Sequence, residues 1–239
     1  YKLTAILLTG ALLLGGCGSA KGSKSSTDGV TQKAETSSKE NADSKKAEAP
    51  KIDGLTYEST MDLTYAKEFD VFYYKDGYKL IDVHEGRQYL IVPERKEAPE
   101  GLDSDIVVIK QPVQNIYMAA TAIMSLFDAL DSVDTVKFSG LEASGWYVDS
   151  AKKAMESGDM IFAGKYSEPD YEKIVDGNCG LAIESTMILH TPKVQEMIED
   201  LDIPVFVDYS SYESHPLGRT EWIKVYGAML NKEDEAKAF

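Results

Sequence analysis

Hydrophobic and polar positions follow three regimes along this chain. Residues 3–16 are a compact, mostly apolar run, residues 18–50 hold almost no branched apolar or aromatic side chain, and from residue 57 onward apolar positions recur with definite periods. The first periodic stretch has period two. Phe69, Val71 and Phe72 with Tyr73, then Tyr78, Leu80, Ile81 and Val83, then Tyr89 to Val92 are separated by Lys75-Asp76-Gly77 and Glu85-Gly86-Arg87. Alternation broken by such turn residues predicts a small antiparallel β meander within residues 53–100. His84, beside the second turn, reads as a surface residue.

From residue 101 short apolar runs alternate with helical spacing. Strands are predicted at 106–109, 136–138, 160–163, 181–183 and 205–207. Asn115 reads as the N-cap of a first helix that places Ile116, Ala119, Ala120, Ile123, Phe127 and Leu130 on one face. Thr191 reads as the cap of another, with Pro192 at its first position and Val194, Met197, Ile198 and Leu201 on one face. Strand, helix, strand at this spacing predicts an α/β fold, a Rossmann-like parallel sheet with helices on both faces, over residues 101–230. The loops at the carboxyl ends of its strands then share one rim, where ligands of open α/β sheets bind. Residues 231–239 read as the start of a further helix without a C-terminal stop signal, and the chain as a fragment.

The richest of those loops follows the strand at 205–207. It carries Tyr209, Ser210, Ser211, Tyr212, Glu213, His215 and Arg219, more polar and aromatic groups than a connection needs, although a solvated turn closed by Pro216 and Gly218 accounts for any one of them. Across the rim, Trp146, Tyr147, Tyr166, Tyr212 and Arg219 are the candidate ligand contacts, and for Trp146 burial in the core is an equal alternative. Aromatic rings among small polar residues suit an extended, partly apolar organic ligand.

The N-terminal run is shorter than the ~20 residues a membrane-spanning helix needs, so it reads as a signal peptide, residues 1–16. It ends in Leu14-Gly15-Gly16-Cys17-Gly18, which resembles a bacterial lipobox with Cys17 as the lipidated residue. The polar tract behind it, to residue 52, reads as a disordered linker, since it cannot bury enough surface to offset its chain entropy. The two cysteines lie far apart, so no disulfide framework is expected and Cys179 reads as a half-buried free thiol. A net charge of -15 argues against nucleic-acid binding and suits docking on a basic partner.

Catalytic motifs are missing from the sequence. There is no Gly-rich phosphate loop, no Gly-x-Ser-x-Gly and no Cys-x-x-Cys, and His84, His190 and His215 are too scattered for a zinc site. The chain therefore reads as a non-enzyme without cofactor or resident metal. The competing readings are an anchored hydrolytic enzyme using Glu184, Ser185 or Ser211, and a surface adhesion lipoprotein whose meander binds another protein.

Three segments in order, AGKYSEPDYEKIV at 163–175, LAIESTMI at 181–188 and SSYESHPLGRTEWIK at 210–224 followed by NKEDEAKAF, resemble the substrate-binding proteins of ABC importers that carry iron complexes and cobalamin. The resemblance spans residues 101–239. It implies that 101–230 is the first lobe of a two-lobed binding protein and that 231–239 begins the interlobe helix, with the second lobe missing and ligand binding accordingly weak. It implies a ferric chelate (siderophore or haem) or a corrinoid as the transported ligand and a membrane permease as partner. The protein itself is then an extracytoplasmic monomer, lipid-anchored to the bacterial cell membrane. Glu172, at the position of the family's docking carboxylate, is expected to meet an arginine of the permease; acidic residues early in a helix also serve the helix dipole.

Overall fold

The computed structural model describes residues 48–239. The predicted signal peptide, Cys17 and the linker up to residue 47 lie outside the described residues. The end of that predicted linker is packed rather than free: Ile52 is buried and the Pro50 carbonyl accepts a hydrogen bond from the Tyr74 hydroxyl at 2.6 Å. Among the described residues no helix is long and apolar enough to cross a membrane.

The meander forms as β1 (Tyr57–Thr60), β2 (Phe69–Tyr74), β3 (Lys79–Val83) and β4 (Gln88–Val92), each antiparallel to the last. A fifth strand, β5 (Ile106–Lys110), completes this sheet parallel to β4. Here the structure departs from the sequence reading, which put 106–109 in the other sheet. The cause is burial on both faces. Phe72, Leu80, Leu90 and Val108 line up across the strands and pack with Ile52, whereas Val71, Ile81, Tyr89 and Val107 line up and join the main core. A doubly covered sheet accepts an all-apolar strand at its edge.

The second sheet is parallel throughout. In chain order come β6 (Ile116–Met118), α1 (Met124–Ala129), β7 (Val136–Ser139), α2 (Asp149–Ser157), β8 (Ile161–Phe162), a hairpin of β9 (Gly164–Lys165) and β10 (Glu168–Pro169), then α3 (Tyr171–Asp176) and β11 (Ala182–Ser185). There follow α4 (Pro192–Glu199), β12 (Val205–Asp208), α5 (Pro216–Glu221), α6 (Ile223–Leu230) and α7 (Glu233–Ala238). The strand order is β12-β11-β6-β7-β8. Residues 116–118, read from sequence as the start of a helix, are thus the central strand. Asn115 does not cap a helix; it takes a left-handed turn (φ 53) into β6, and the α-helix begins only at Met124. Tyr117 and Met118 point to opposite faces and both are fully buried, so a central strand carries a continuous apolar run that periodicity alone cannot tell from a helix.

Helices cover both faces. Phe206 of β12 meets Tyr226 of α6, which meets Phe127 of α1, and Tyr89 of β4 packs on Phe206 at 4.6 Å, so the meander and the parallel sheet share one core through α6. On the opposite face Phe138 lies so close to Gly177, at the end of α3, that a Cβ there would come within 2.3 Å of the ring. The buried Lys79 ties the first sheet to the end of α6, donating to the Ala228 carbonyl (2.8 Å) and to Asn231 (2.7 Å) while pairing with Glu233.

Candidate functional site

Parallel strands deliver all their carboxyl ends to one edge. From β6 the chain steps to β7 and β8 on one side, then crosses back to β11 and β12 on the other, so the connections reverse between β6 and β11. Loops diverge at such a point and leave a crevice. At this edge the strand ends carry small side chains: Ala119 and Ala120 after β6, Ser139 and Gly140 at β7, Ala163 and Gly164 after β8. The close packing forces some of them. A Cβ on Gly140 would stand 2.9 Å from the Ala119 Cα, and one on Gly164, whose φ is +80, would stand 2.3 Å from the Glu168 carbonyl oxygen.

The predicted contact residues fall into distinct settings. Trp146 is 6% exposed, its indole N–H donating to Ser139 Oγ at 3.0 Å while that hydroxyl donates to the Leu141 carbonyl at 2.6 Å. It is a core residue that shapes the loop after β7. The next residue, Tyr147, is 98% exposed. Tyr166 lies half-buried in the turn between β9 and β10. Tyr212 is 50% exposed with its ring edge-on to Tyr209 at 5.1 Å. Arg219 is exposed and closes its own loop, donating to the carbonyls of Ser211 (3.1 Å) and Glu213 (3.5 Å). Trp146 and Tyr147 share the loop after β7, and Tyr212 lies seven residues before Arg219 of α5. The structure shows no contact that joins the five into one pocket, and a cleft of about 620 Å³ lies elsewhere, beside Tyr73, Lys224 and Glu233.

Glu172 is exposed on the first turn of α3 and forms no ion pair among the described residues. Its helix is capped by Asp170, which accepts from the Lys173 N–H at 3.1 Å and pairs with the Lys173 ammonium at 2.9 Å, a partner that holds its pKa low. Cys179 is a half-buried free thiol whose pKa burial pushes up to about 11. His84 pairs with Asp70 at the surface.

Much of the 210–224 segment serves the fold. Glu213, 2% exposed, accepts from the backbone N–H groups of Lys67 and Glu68 at 3.0–3.1 Å and from the Trp222 indole at 3.0 Å. Glu221 accepts from the N–H groups of Thr64, Tyr65 and Ala66 at 2.7–3.1 Å and from Lys224 at 2.7 Å. Burial alone raises the Glu221 pKa, but Lys224 and the three N–H groups together outweigh it and bring it below the usual carboxylate value. The two carboxylates therefore saturate five consecutive amides of the loop between β1 and β2. His215 stacks on Tyr65 at 4.9 Å, and its Nδ1 accepts from the Leu217 N–H at 3.1 Å, which puts the ring proton on Nε2. The loop read as ligand-facing is thus divided: Glu213, Gly218, Glu221 and Trp222 face inward, while Ser211, Tyr212, His215 and Arg219 face solvent. The two clamps were hidden in the sequence because each joins residues about 150 positions apart, as the 146 and 157 separating Glu213 from Lys67 and Glu221 from Thr64 show.

A third carboxyl has no such partners. Glu184, in β11, is 0% exposed and neither of its oxygens has a hydrogen-bond partner among the described residues. Burial raises its pKa well above the usual carboxylate value. Asp208 of β12, in register with the following Ser185, is also buried and its pKa raised, yet it accepts from Ser210 and from the buried Tyr226 hydroxyl.

No family model matches this chain. The uncharacterized lipoprotein MJ0878 of Methanocaldococcus jannaschii is 26% identical over 204 residues, covering 74% of this chain and 48% of that protein. The chain therefore spans about half the length of that relative. Among solved structures, Staphylococcus aureus SirA complexed with staphyloferrin B is 18% identical with a TM-score of 0.40, over 54% of this chain and 41% of that one. The petrobactin-binding protein YclQ of Bacillus subtilis is 18% identical with a TM-score of 0.41, over 55% and 43%. Similarity of that degree leaves the fold to this chain's own topology, which is mixed α/β with a helix-flanked parallel sheet joined to a largely antiparallel one.

Proposed function

We propose that this chain is the substrate-binding lipoprotein of an ABC importer, capturing a ferric chelate (siderophore or haem) or a corrinoid outside the cell and delivering it to a membrane permease. The observation that carries this reading is the parallel sheet whose connections reverse between β6 and β11, the place where open α/β sheets bind ligands. Tyr147, Tyr166, Tyr212 and Arg219 are the ligand contacts, with Trp146 holding the loop that presents Tyr147. The lipoprotein name of the archaeal relative supports an anchor at Cys17. Glu172, exposed and with no ion pair among the described residues, docks on an arginine of the permease in this reading, where a rim charge sets encounter rate and register more than affinity. The protein does no bond chemistry: it captures, docks and releases. The hydrolytic alternative is less well served, because the His215 Nδ1 accepts from the Leu217 N–H and is committed to the backbone.

Fluorescence titration of the full-length protein with ferric siderophores, haem and cobalamin tests the reading. One ligand is expected to quench saturably, with Tyr212→Ala or Arg219→Ala weakening it about tenfold, the loss typical of a contact worth ~1.4 kcal/mol. No saturable response from any of them sinks it.

A further inference from the structure

We propose that Glu184 is a ligand-recognition residue, the carboxyl that receives an ammonium group of the bound molecule in the crevice between β6 and β11. The inference rests on the binding-protein reading above and names the charge of its ligand. Glu184 is the third residue of β11, on the strand that flanks the reversal point. A buried carboxyl with neither ion pair nor hydrogen bond destabilises the fold, and such a group persists where function uses it.

The groups around it do not satisfy it. On β6, the Tyr117 side chain shares its face, but its hydroxyl donates to the Gly164 carbonyl at 3.0 Å. On α3, the half-buried Tyr171 feels the Glu184 charge without bonding to it. On β12 the residue in register is Val207, and the nearby Cys179 thiol is turned to the Leu181 carbonyl at 3.4 Å. None of these is a cation. The counter-charge has to come from outside, and a net charge of -15 draws cations toward the surface. The strand ends beside β11 carry only small side chains, Ala119, Ala120, Gly140, Ala163 and Gly164, and their close packing means that a ligand reaches Glu184 only when this edge opens.

The element assigned to open is the β9–β10 hairpin. It forms a two-stranded sheet apart from both larger sheets, has two residue pairs, and is held by the Tyr117 hydroxyl on the Gly164 carbonyl and by backbone bonds at its ends, Ala163 N–H to the Ser139 carbonyl and Asp170 N–H to the Ala163 carbonyl. Small units of this kind open at lower free energy than the core strands. In the closed form burial favours the neutral acid of Glu184 over the carboxylate. An arriving ammonium favours the carboxylate, so the acid loses one proton to solvent as the charge-assisted hydrogen bond forms, and the ligand gains and loses none.

Calorimetry on the full-length protein at neutral pH, in two buffers of different ionisation enthalpy, reads both consequences. The probes are ferrioxamine B, a ferric hydroxamate with a free primary ammonium, and its N-acetyl derivative. The ammonium form is expected to bind about tenfold more tightly with close to one proton released, and Glu184→Gln to bring the two within about twofold without proton release and without weakening the acetylated chelate. Equal affinities in the wild type, or a preference that survives Glu184→Gln, overturn the inference while leaving the binding-protein reading intact. Should neither these nor any haem or corrinoid bind, the binding-protein reading fails by itself, and pentylammonium chloride decides the carboxyl. A midpoint of thermal unfolding that rises with the amine in wild type and not in Glu184→Gln supports the site, and no difference between them ends it.

Discussion

At the scale of single residues, three buried glutamates meet two fates. Glu213 and Glu221 accept backbone N–H groups and are stabilising where they stand; Glu184 accepts nothing and destabilises. Replacing Glu184 by leucine removes an unsatisfied buried polar group and is expected to stabilise the protein by about 1–3 kcal/mol near pH 8. The sign with pH follows from the raised folded pKa. The folded state keeps its proton longer than the unfolded one, so the stability contributed by Glu184 is fully present below the ordinary carboxylate pKa and is lost as pH rises through the folded value. The advantage of Glu184→Leu is therefore expected to be smallest near pH 4 and to grow toward pH 8 in urea titrations; a constant difference contradicts the assignment. Trp146 shows the limit of reading one residue from sequence, since an indole beside an exposed tyrosine is equally a ligand platform or a core plug. Only the hydrogen bond to Ser139 and the burial decide for the core.

At the scale of elements, the β1–β2 loop is irregular yet its amides are consumed by side chains. Amide exchange at Thr64, Tyr65, Ala66, Lys67 and Glu68 is accordingly expected to be slow for a loop. Glu221→Ala should release the first three and Glu213→Ala the last two, each by roughly 10–100-fold, if each bond is worth about 1–3 kcal/mol. Uniform acceleration by either variant would show a general loosening instead. The β9–β10 hairpin depends on the left-handed backbone of Gly164, so Gly164→Ala is expected to lower stability by about 2 kcal/mol or more in thermal melts. The meander was legible in sequence because turn residues interrupt period-two alternation. The central strand β6 was not, because it is covered on both faces and its apolar run continues into α1.

At the scale of the whole molecule, the two sheets share one core through α6, and Lys79 fastens the first sheet to the end of that helix. Melting followed by far-ultraviolet circular dichroism and by tryptophan fluorescence is expected to give coincident transitions. Lys79→Met leaves Glu233 without its ion-pair partner and removes the Lys79 donor from the Ala228 carbonyl, while Asn231 keeps Gln111; it is expected to lower stability by about 1–3 kcal/mol. Two separated transitions in the wild type would mean that the sheets unfold independently. The mixed α/β class was legible from the change of period near residue 101. The membership of β5 was not, since an apolar strand fits either sheet and only the core between them selects one.

The sequence by itself determined what local chemistry controls: the turns of the meander, four of the five strands of the parallel sheet, Pro192 at the start of α4, and the polar and aromatic character of the loops at the carboxyl edge. These depend on side-chain period and backbone preference over a few residues. The tertiary structure alone decided which carboxylates are clamps and which is an orphan, that Trp146 is sealed, and that the connections reverse between β6 and β11 beside Glu184. Those outcomes turn on contacts between residues far apart in the chain, and a buried carboxyl is stabilising or destabilising only according to the N–H groups that folding brings to it.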